Sequence, residues 1–124
     1  MMTADRFIHY KLGNDLLDKE HWDLCRQFDI VANNFRRSEY DQAGKNLKKL
    51  IDTSTIHFQT EEVMMVTANY KFIDSHRAEH IRLLDILTRL GNMTRTRENT
   101  KFINELSHLF EDHIDHYDRQ FDFL

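Results

Sequence analysis

Residues 57–80 read HFQTEEVMMVTANYKFIDSHRAEH. His57 and Glu61 lie four residues apart at the start of this stretch, and His76 and His80 lie four residues apart at its end. A spacing of four places two side chains on one face of an α-helix, about one turn apart in height. Imidazole nitrogen and carboxylate oxygen are both metal donors. The stretch therefore predicts two helices that each present a pair of metal ligands.

The composition favours an all-α fold. The 124-residue chain contains no proline and only three glycines, so few residues would interrupt a helix. Its length suits a single domain over residues 1–124 with a core of its own. The formal net charge of −4, with acidic and basic residues intermixed, argues against nucleic acid or an anionic membrane surface as the main partner.

The sequence also carries signals about its compartment. It does not open with a basic stretch followed by an apolar run, and no apolar run approaches the roughly 18 residues of a membrane span. The single cysteine, Cys25, cannot form an internal disulfide, which favours a reducing compartment. We therefore expect a cytoplasmic protein without a membrane partner.

Apolar and ligand residues recur at steps of three or four in four segments, which is the helical period. We predict helices over residues 15–35, 39–65, 70–90 and 97–118, after an N-terminal arm. Ser38 is predicted to cap the second helix, and Gly91 and Asn92 to end the third. Asn69 is the one residue with turn character at the second connection. Short connections predict an antiparallel up-down-up-down four-helix bundle. The inward face predicted for the fourth helix is Phe102, Leu106, Leu109, His113 and Tyr117.

Seven potential metal ligands fall on these helices. They are His21, His57, Glu61, His76, His80, His113 and Asp118. In an antiparallel hairpin, two residues lie at the same height when their numbers average to the position of the turn. The numbers of His21 and His57 average to 39, and those of His80 and His113 to 96.5, both inside predicted connections. Because the same holds at the second connection, all seven are expected to meet in one layer of the bundle.

Asp118 does not fit a straight helix. It lies five residues after His113, which places it about 140° around the helix axis. To point inward it needs a π-type bulge or an unwound turn. We therefore expect the fourth helix to loosen between Ile114 and Asp118.

The number of donors predicts two metal ions side by side, with one open position. Five imidazoles and two carboxylates are too many for one ion and too few to close two six-coordinate ions. If both carboxylates and one solvent-derived oxygen bridge the ions, three histidines complete one ion and two leave the other open. Nitrogen and oxygen donors without thiolate suit iron, manganese or zinc. Redox chemistry or O2 binding would require iron or manganese, because zinc is redox-inert.

These motifs resemble the hemerythrin and bacteriohemerythrin family over nearly the whole chain. The matching residues are Gly13, Asp18, His21 and Leu24, then residues 57–62 (HFQTEE), Met65, Tyr70, His76, His80, and His113 with Ile114 and Asp118. The resemblance implies two iron ions joined by an oxo or hydroxo bridge. It implies that His76, His80 and His113 bind the six-coordinate iron. It implies that His21 and His57 bind the five-coordinate iron, and that Glu61 and Asp118 bridge the pair.

The function that the resemblance implies is reversible O2 binding at the open iron, for storage, delivery or sensing. The residues expected around that position are Leu24, Phe28, Phe58, Leu109 and Ile114. A dry pocket of this kind favours binding over turnover, so we expect an O2-binding protein rather than an enzyme. Leu109 replaces a tryptophan usual in the family, and wider access there would favour a di-iron peroxidase, oxidase or nitric-oxide-handling enzyme. A third alternative is an O2 or redox sensor that acts through a partner protein or a homo-oligomer.

Two residues next to predicted ligands carry further expectations. Glu62 is either solvated or accepts a hydrogen bond from a ligand histidine. Cys25, one turn after His21, is expected to be a small buried apolar residue.

Overall fold

The computed structural model describes residues 15–93, 96 and 98–114 of the chain. Within these residues lie four helices: α1 (Asp15–Arg36), α2 (Tyr40–Thr67), α3 (Ile73–Gly91) and α4 (Asn99–His113). No strand occurs in the part of the chain described. The predicted all-α four-helix bundle is therefore confirmed, and the bounds of α1, α2 and α3 and the start of α4 lie within three residues of those predicted. The predicted N-terminal arm and the last predicted turn of the fourth helix lie outside the described residues.

The helices form a closed ring of neighbours. α1 packs against α2 and α4, and α3 packs against the same two helices. Only residues 37–39 separate α1 from α2, and only residues 68–72 separate α2 from α3. Connections this short reverse the chain direction, so successive helices run antiparallel. None of the described helices has the length and apolar character needed to cross a membrane.

The first connection corrects the prediction for Ser38. Glu39 occupies the N-cap position of α2 and makes no side-chain capping hydrogen bond. Ser38 instead ends α1 in the left-handed conformation, with φ of 60°. Its N–H donates to Phe35 O at 3.1 Å, and the N–H of Glu39 donates to Asn34 O at 2.9 Å. These bonds satisfy carbonyls in the last turn of α1, which is the role of a left-handed residue after a helix.

The second connection also places a residue in the left-handed conformation after the end of a helix. Asn69 has φ of 55°, and the N–H of Tyr70 donates to Met65 O at 2.9 Å. Asparagine tolerates the left-handed region better than most residues, which explains why its turn character was visible in the sequence. α3 ends at Gly91 as predicted, and the N–H of Asn92 donates to Thr88 O at 3.2 Å.

The core runs along the whole bundle and changes character along each helix. On α2, Ala43, Leu47 and Leu50 face the interior near the first connection, followed by Ser54, His57 and Glu61. We call the first region the apolar end. Its buried residues are Phe35, Ala43, Leu47, Leu50, Leu83, Leu87, Leu90 and Ile103. The other region, which holds the histidines, is called the ligand end.

The inward face of α4 differs from the predicted one. Phe102 is 41% exposed, and Leu109 is only partly buried. Ile103 and Phe110 are buried in their place. Phe110 fits between two other aromatic rings, with centroid distances of 4.8 Å to Phe28 and 5.8 Å to Phe58. These contacts fix the rotation of α4 about its axis.

Candidate metal centre

Glu61 is completely buried and lies among five buried imidazoles. The distances from its carboxylate oxygens to the Nε2 atoms are 3.9 Å for His21, 3.6 Å for His57, 3.8 Å for His76, 3.0 Å for His80 and 4.0 Å for His113. Four helices contribute to this arrangement, as the residue spacing predicted. Six of the seven predicted ligands therefore meet at one height of the bundle.

The donors form two groups that share Glu61. One group contains Glu61, His76, His80 and His113, and the other contains Glu61, His21 and His57. Within each group the candidate donor atoms lie within 4.8 Å of one another. The closest pair of imidazole nitrogens is His80 Nε2 and His113 Nε2, at 3.1 Å. The histidines thus divide into three and two around one shared carboxylate.

The end of α4 bears on the seventh predicted ligand. The regular α-helix ends at His113, and Ile114 adopts a π-helical turn. A π-type distortion is one of the two changes that the spacing between His113 and Asp118 predicted for this region, and Ile114 is the one residue of the region that the structure describes. Asp118 itself lies outside the described residues, so its place in the site stays a prediction.

Two carboxylates form hydrogen bonds with imidazoles of the candidate site, on the side of each ring away from Glu61. His57 Nδ1 lies 2.7 Å from Glu20 Oε1, and His80 Nδ1 lies 2.8 Å from Glu62 Oε2. An ionised carboxylate can only accept, so each Nδ1–H donates, and in the neutral imidazole the lone pair then lies on the Nε2 that faces Glu61. Of the two interpretations offered for Glu62, the structure therefore supports the hydrogen bond from a histidine over simple solvation. Glu20 was missed, and the only sequence signal for it is an acid directly before the ligand His21.

Arginines bind two acids beside the site. Arg77 Nε donates to Glu62 Oε1 at 3.2 Å, so Glu62 links a surface arginine to His80. Arg82 forms two hydrogen bonds to Glu79, at 3.0 and 2.7 Å. The hydrogen bond from Arg82 lowers the pKa of the Glu79 carboxyl below its ordinary value of 4.5, against the opposing effect of burial. The charge of Arg82 and the nearby imidazoles of His113 and His80 lower this pKa further.

Aromatic rings cover the side of the site that faces the apolar end. The Phe58 ring stacks on the His80 imidazole, with centroids 3.9 Å apart and planes inclined by 10°. It also meets the His113 imidazole edge-on at 5.7 Å. Of the residues expected around an open position, Leu24, Phe28, Phe58 and Ile114 are all buried in the core cluster.

Leu109 is the exception among the residues expected at the pocket. It lines a groove of about 190 Å³ between α3 and α4, together with Met93 and Phe102. The rotation of α4 that buries Phe110 turns Leu109 outward, because adjacent residues differ by about 100° around a helix. Phe110 therefore packs against Phe58 inside the core, while Leu109 packs against the core cluster from a partly buried position.

Two neighbours of His21 have different surroundings. Cys25 is completely buried in the core cluster and belongs to neither donor group, which fits its prediction as a small apolar residue. Trp22 is half-buried, and the guanidinium of Arg26 lies 4.9 Å from the centroid of its ring. A contact of this kind between a cation and an aromatic face is favourable.

The donor set fits a pair of transition-metal ions. Burying a carboxylate and five imidazoles is unfavourable unless their charges and lone pairs find partners. Metal ions would satisfy the inward-facing lone pairs of His57 and His80, which their outer hydrogen bonds fix in place. Nitrogen and oxygen donors without thiolate suit iron, manganese or zinc. The fold and the site together define a metal-binding four-helix bundle with histidine and carboxylate ligands.

Comparison with known sequences identifies the family. The model for the family described as Hemerythrin HHE cation binding domain matches residues 12–121. The chain therefore belongs to the hemerythrin family. This membership implies a non-haem di-iron centre, and the buried histidines and Glu61 form a cluster able to bind metal.

Curated relatives agree with this assignment. Myohemerythrin-1 of Phascolopsis gouldii is 36% identical over 85 residues, which cover 68% of this chain and 63% of the relative. The matched region thus spans less than two thirds of that relative's length. Bacteriohemerythrin of Methylococcus capsulatus is 29% identical over 97 residues, covering 71% of this chain and 72% of the relative. Bacteriohemerythrin of Clostridium acetobutylicum is 23% identical over 120 residues, covering 90% and 93%. No solved structure gives a significant match.

Proposed function

We propose that this protein binds O2 reversibly at a non-haem di-iron centre, for storage, delivery or sensing. The observation that carries the proposal is the division of five buried histidines into three and two around the shared Glu61. Such a division leaves one ion with fewer protein ligands than the other, and therefore with a position for a small molecule. The names of the relatives, hemerythrins of an animal and of bacteria, support the same function.

The ligand assignment follows the two groups. His76, His80 and His113 would hold one iron, and His21 and His57 the other. Glu61 and Asp118 would bridge the pair. The iron pair would supply the O2-binding position and the electrons that bind O2. The proximity of the six described ligands supports the assignment, and for Asp118 the support is its match to the family motif.

The surroundings favour binding over turnover. Phe58, Phe110 and Phe28 form a continuous aromatic contact next to the histidines. Leu24 and Ile114 are buried in the same cluster. None of these five side chains can donate or accept a proton, so they exclude water and slow proton delivery to the site. This is the property that a reversible binder needs and that an oxidase or peroxidase does not.

We further propose that residues 1–124 act as one hemerythrin-like domain in the cytoplasm. The family match over residues 12–121 supports the domain assignment. The single cysteine, Cys25, is buried and has no second cysteine in the chain to form a disulfide with, which fits a reducing compartment. A sensing role would require a partner protein or a second copy of the chain to transmit the signal.

Optical spectroscopy on the reduced, iron-loaded protein tests the proposed function. We expect two irons per chain, and a visible absorption band that appears with O2 and disappears when O2 is removed. His76→Ala is the matched variant that should lose both the iron and the band, whereas His108→Ala should keep them, because His108 is exposed and belongs to neither donor group. Irreversible oxidation on first contact with O2 would contradict the proposal. Sustained turnover of peroxide or nitric oxide would favour the di-iron enzyme instead.

A further inference from the structure

The hydrogen bonds behind His57 and His80 look alike but differ in one respect. Glu20 and Glu62 each accept from an imidazole Nδ1–H, and both carboxylates are partly buried, at 20% and 27% exposure. A carboxylate in this position orients the ring and increases electron donation from the opposite nitrogen. Both interactions therefore act on nitrogens that face the candidate metal site.

The difference is the second partner of Glu62. Its Oε1 accepts from Arg77 Nε at 3.2 Å, while its Oε2 accepts from His80. The arginine cation draws electron density from the carboxylate and weakens it as an acceptor for the imidazole. Among the residues that the structure describes, Glu20 forms no ion pair with an arginine or a lysine. His57 is therefore backed by a full carboxylate charge, and His80 by a partly neutralised one.

We propose that Glu20 and Glu62 are positioning residues of unequal strength, and that Arg77 sets this difference by moderating Glu62. Glu20 makes His57 the stronger donor of the two imidazoles. The hydrogen bonds from Arg77 to Glu62 and from His80 to Glu62 connect the surface to the donor group that contains three histidines. This inference rests on the proposed di-iron site and adds which residues adjust its metal affinity and its reduction potential.

The position of Arg77 makes the proposal testable without disturbing the core. Its side chain is 44% exposed, and with Glu62 it lines an open surface groove of about 320 Å³. A neutral substitution at Arg77 removes the cation that partly neutralises the Glu62 carboxylate. It replaces no buried side chain. Arg77→Lys keeps the positive charge, so it is the conservative counterpart of Arg77→Gln.

The experiment compares Glu20→Gln, Glu62→Gln, Arg77→Gln and Arg77→Lys with wild type. Iron affinity is measured by competition with a chelator, the reduction potential by redox titration, and the stability of the metal-free protein by urea unfolding. Glu105→Gln and Arg89→Gln are matched controls, because Glu105 and Arg89 lie on the groove between α3 and α4 that Leu109 lines.

The expected shifts have different signs. Glu20→Gln should weaken iron binding about tenfold or more and raise the potential, because a neutral amide donates less to His57. Glu62→Gln should also weaken iron binding and raise the potential, but by less than Glu20→Gln. Arg77→Gln should lower the potential and strengthen iron binding, whereas Arg77→Lys should resemble wild type. In the double variant Glu62→Gln/Arg77→Gln, the effect of Arg77→Gln should disappear.

Several results would overturn the inference. Unchanged affinity and potential in both glutamine variants would remove the role of the carboxylates. An Arg77→Gln effect that persists in the double variant would show that Arg77 acts independently of Glu62. Equal losses of stability in metal-free and iron-loaded protein would indicate a merely structural role. If wild type itself bound no iron, the proposed function would fail, which is a distinct outcome from iron-loaded variants that behave as wild type.

Discussion

The apolar end and the ligand end of the bundle are equally buried but differ in chemistry. On α2, Leu47 and Leu50 are at most 1% exposed, and His57 and Glu61 are at most 2% exposed. The same helical period places both pairs in the interior. Burial of the leucines stabilises the fold by roughly 25 cal/mol per Å² of apolar surface. Burial of the carboxylate and the imidazole is unfavourable unless each finds a partner.

This difference teaches that the two ends should respond differently to metal. The apolar end is complete without any ligand, because its side chains satisfy one another. The ligand end gains its full stability only when its donors are occupied, since metal binding contributes directly to the free energy of folding. Comparing metal-free and iron-loaded protein therefore separates the contributions of the two ends.

The largest effect on stability is expected at the apolar end. Leu50→Ala should destabilise the protein by about 2–5 kcal/mol, because it leaves a cavity in a fully buried position. The loss should be the same with and without iron, as measured by urea unfolding of both forms. Val66→Ala, at a 59% exposed position of the same helix, is the control and should have little effect. A loss of stability confined to the iron-loaded form would contradict the view that the apolar end is stable without metal.

A smaller and conditional effect is expected at the ligand end. His76→Ala should remove the stabilisation by iron, which is about 2.7 kcal/mol when free metal is at 100 times its dissociation constant. The metal-free protein should change much less, because the variant removes a buried polar ring. Thermal unfolding with and without iron measures both values. If the metal-free variant lost as much stability as the loaded one, His76 would be an ordinary core residue.

The contact between the two ends should show an intermediate behaviour. Phe58 stacks on His80 and also contacts Phe110, so it belongs to both regions. Phe58→Leu keeps an apolar side chain but removes the aromatic contacts, and it should cost about 1 kcal/mol in the metal-free protein. Phe102→Leu, at an exposed position, is the control for the same substitution. Equal effects of the two substitutions on the unfolding midpoint would argue against an aromatic contribution.

The smallest effect is expected at the surface of α3. Arg89 pairs with Asp85 at 3.0 Å, with both side chains more than half exposed, so Arg89→Gln should change stability by less than about 1 kcal/mol. Arg82→Gln should have a larger effect, because its partner Glu79 is only 11% exposed. Urea unfolding of the two variants at neutral pH checks this order. The reverse order would mean that partial burial of the acid does not strengthen its ion pair.

The sequence predicted the helices and the meeting of the histidines because both depend on spacing alone. Antiparallel helices of constant rise place paired residue numbers at one height, and His80 and His113 accordingly lie in contact. The rotation of α4 was not predictable in this way. Apolar residues at positions 102, 103, 106, 109 and 110 define two overlapping inward faces with the same period. Only packing of Phe110 against Phe28 and Phe58 decides between them.

The carboxylates behind the histidines show a second limit of sequence reasoning. Glu20 directly precedes His21 and Glu62 directly follows Glu61, but other acids on the chain also lie close to predicted ligands, and this adjacency does not show which of them reach an imidazole. Whether such an acid reaches an imidazole depends on its rotamer and on the distance between two helices. The wrong prediction that Ser38 caps α2 has a similar origin. A serine between two helices can lie at the C-terminal end of the first or at the N-cap of the second, and the spacing does not say which.

The position of Trp22 has a practical consequence. It is the only tryptophan in the chain, it directly follows the predicted ligand His21, and its side chain is only half-buried. Its fluorescence therefore originates at a single point next to the site, and iron bound there would quench the emission by energy or electron transfer. We therefore expect Trp22 to serve as an intrinsic optical probe of iron uptake, iron release and unfolding, without a label.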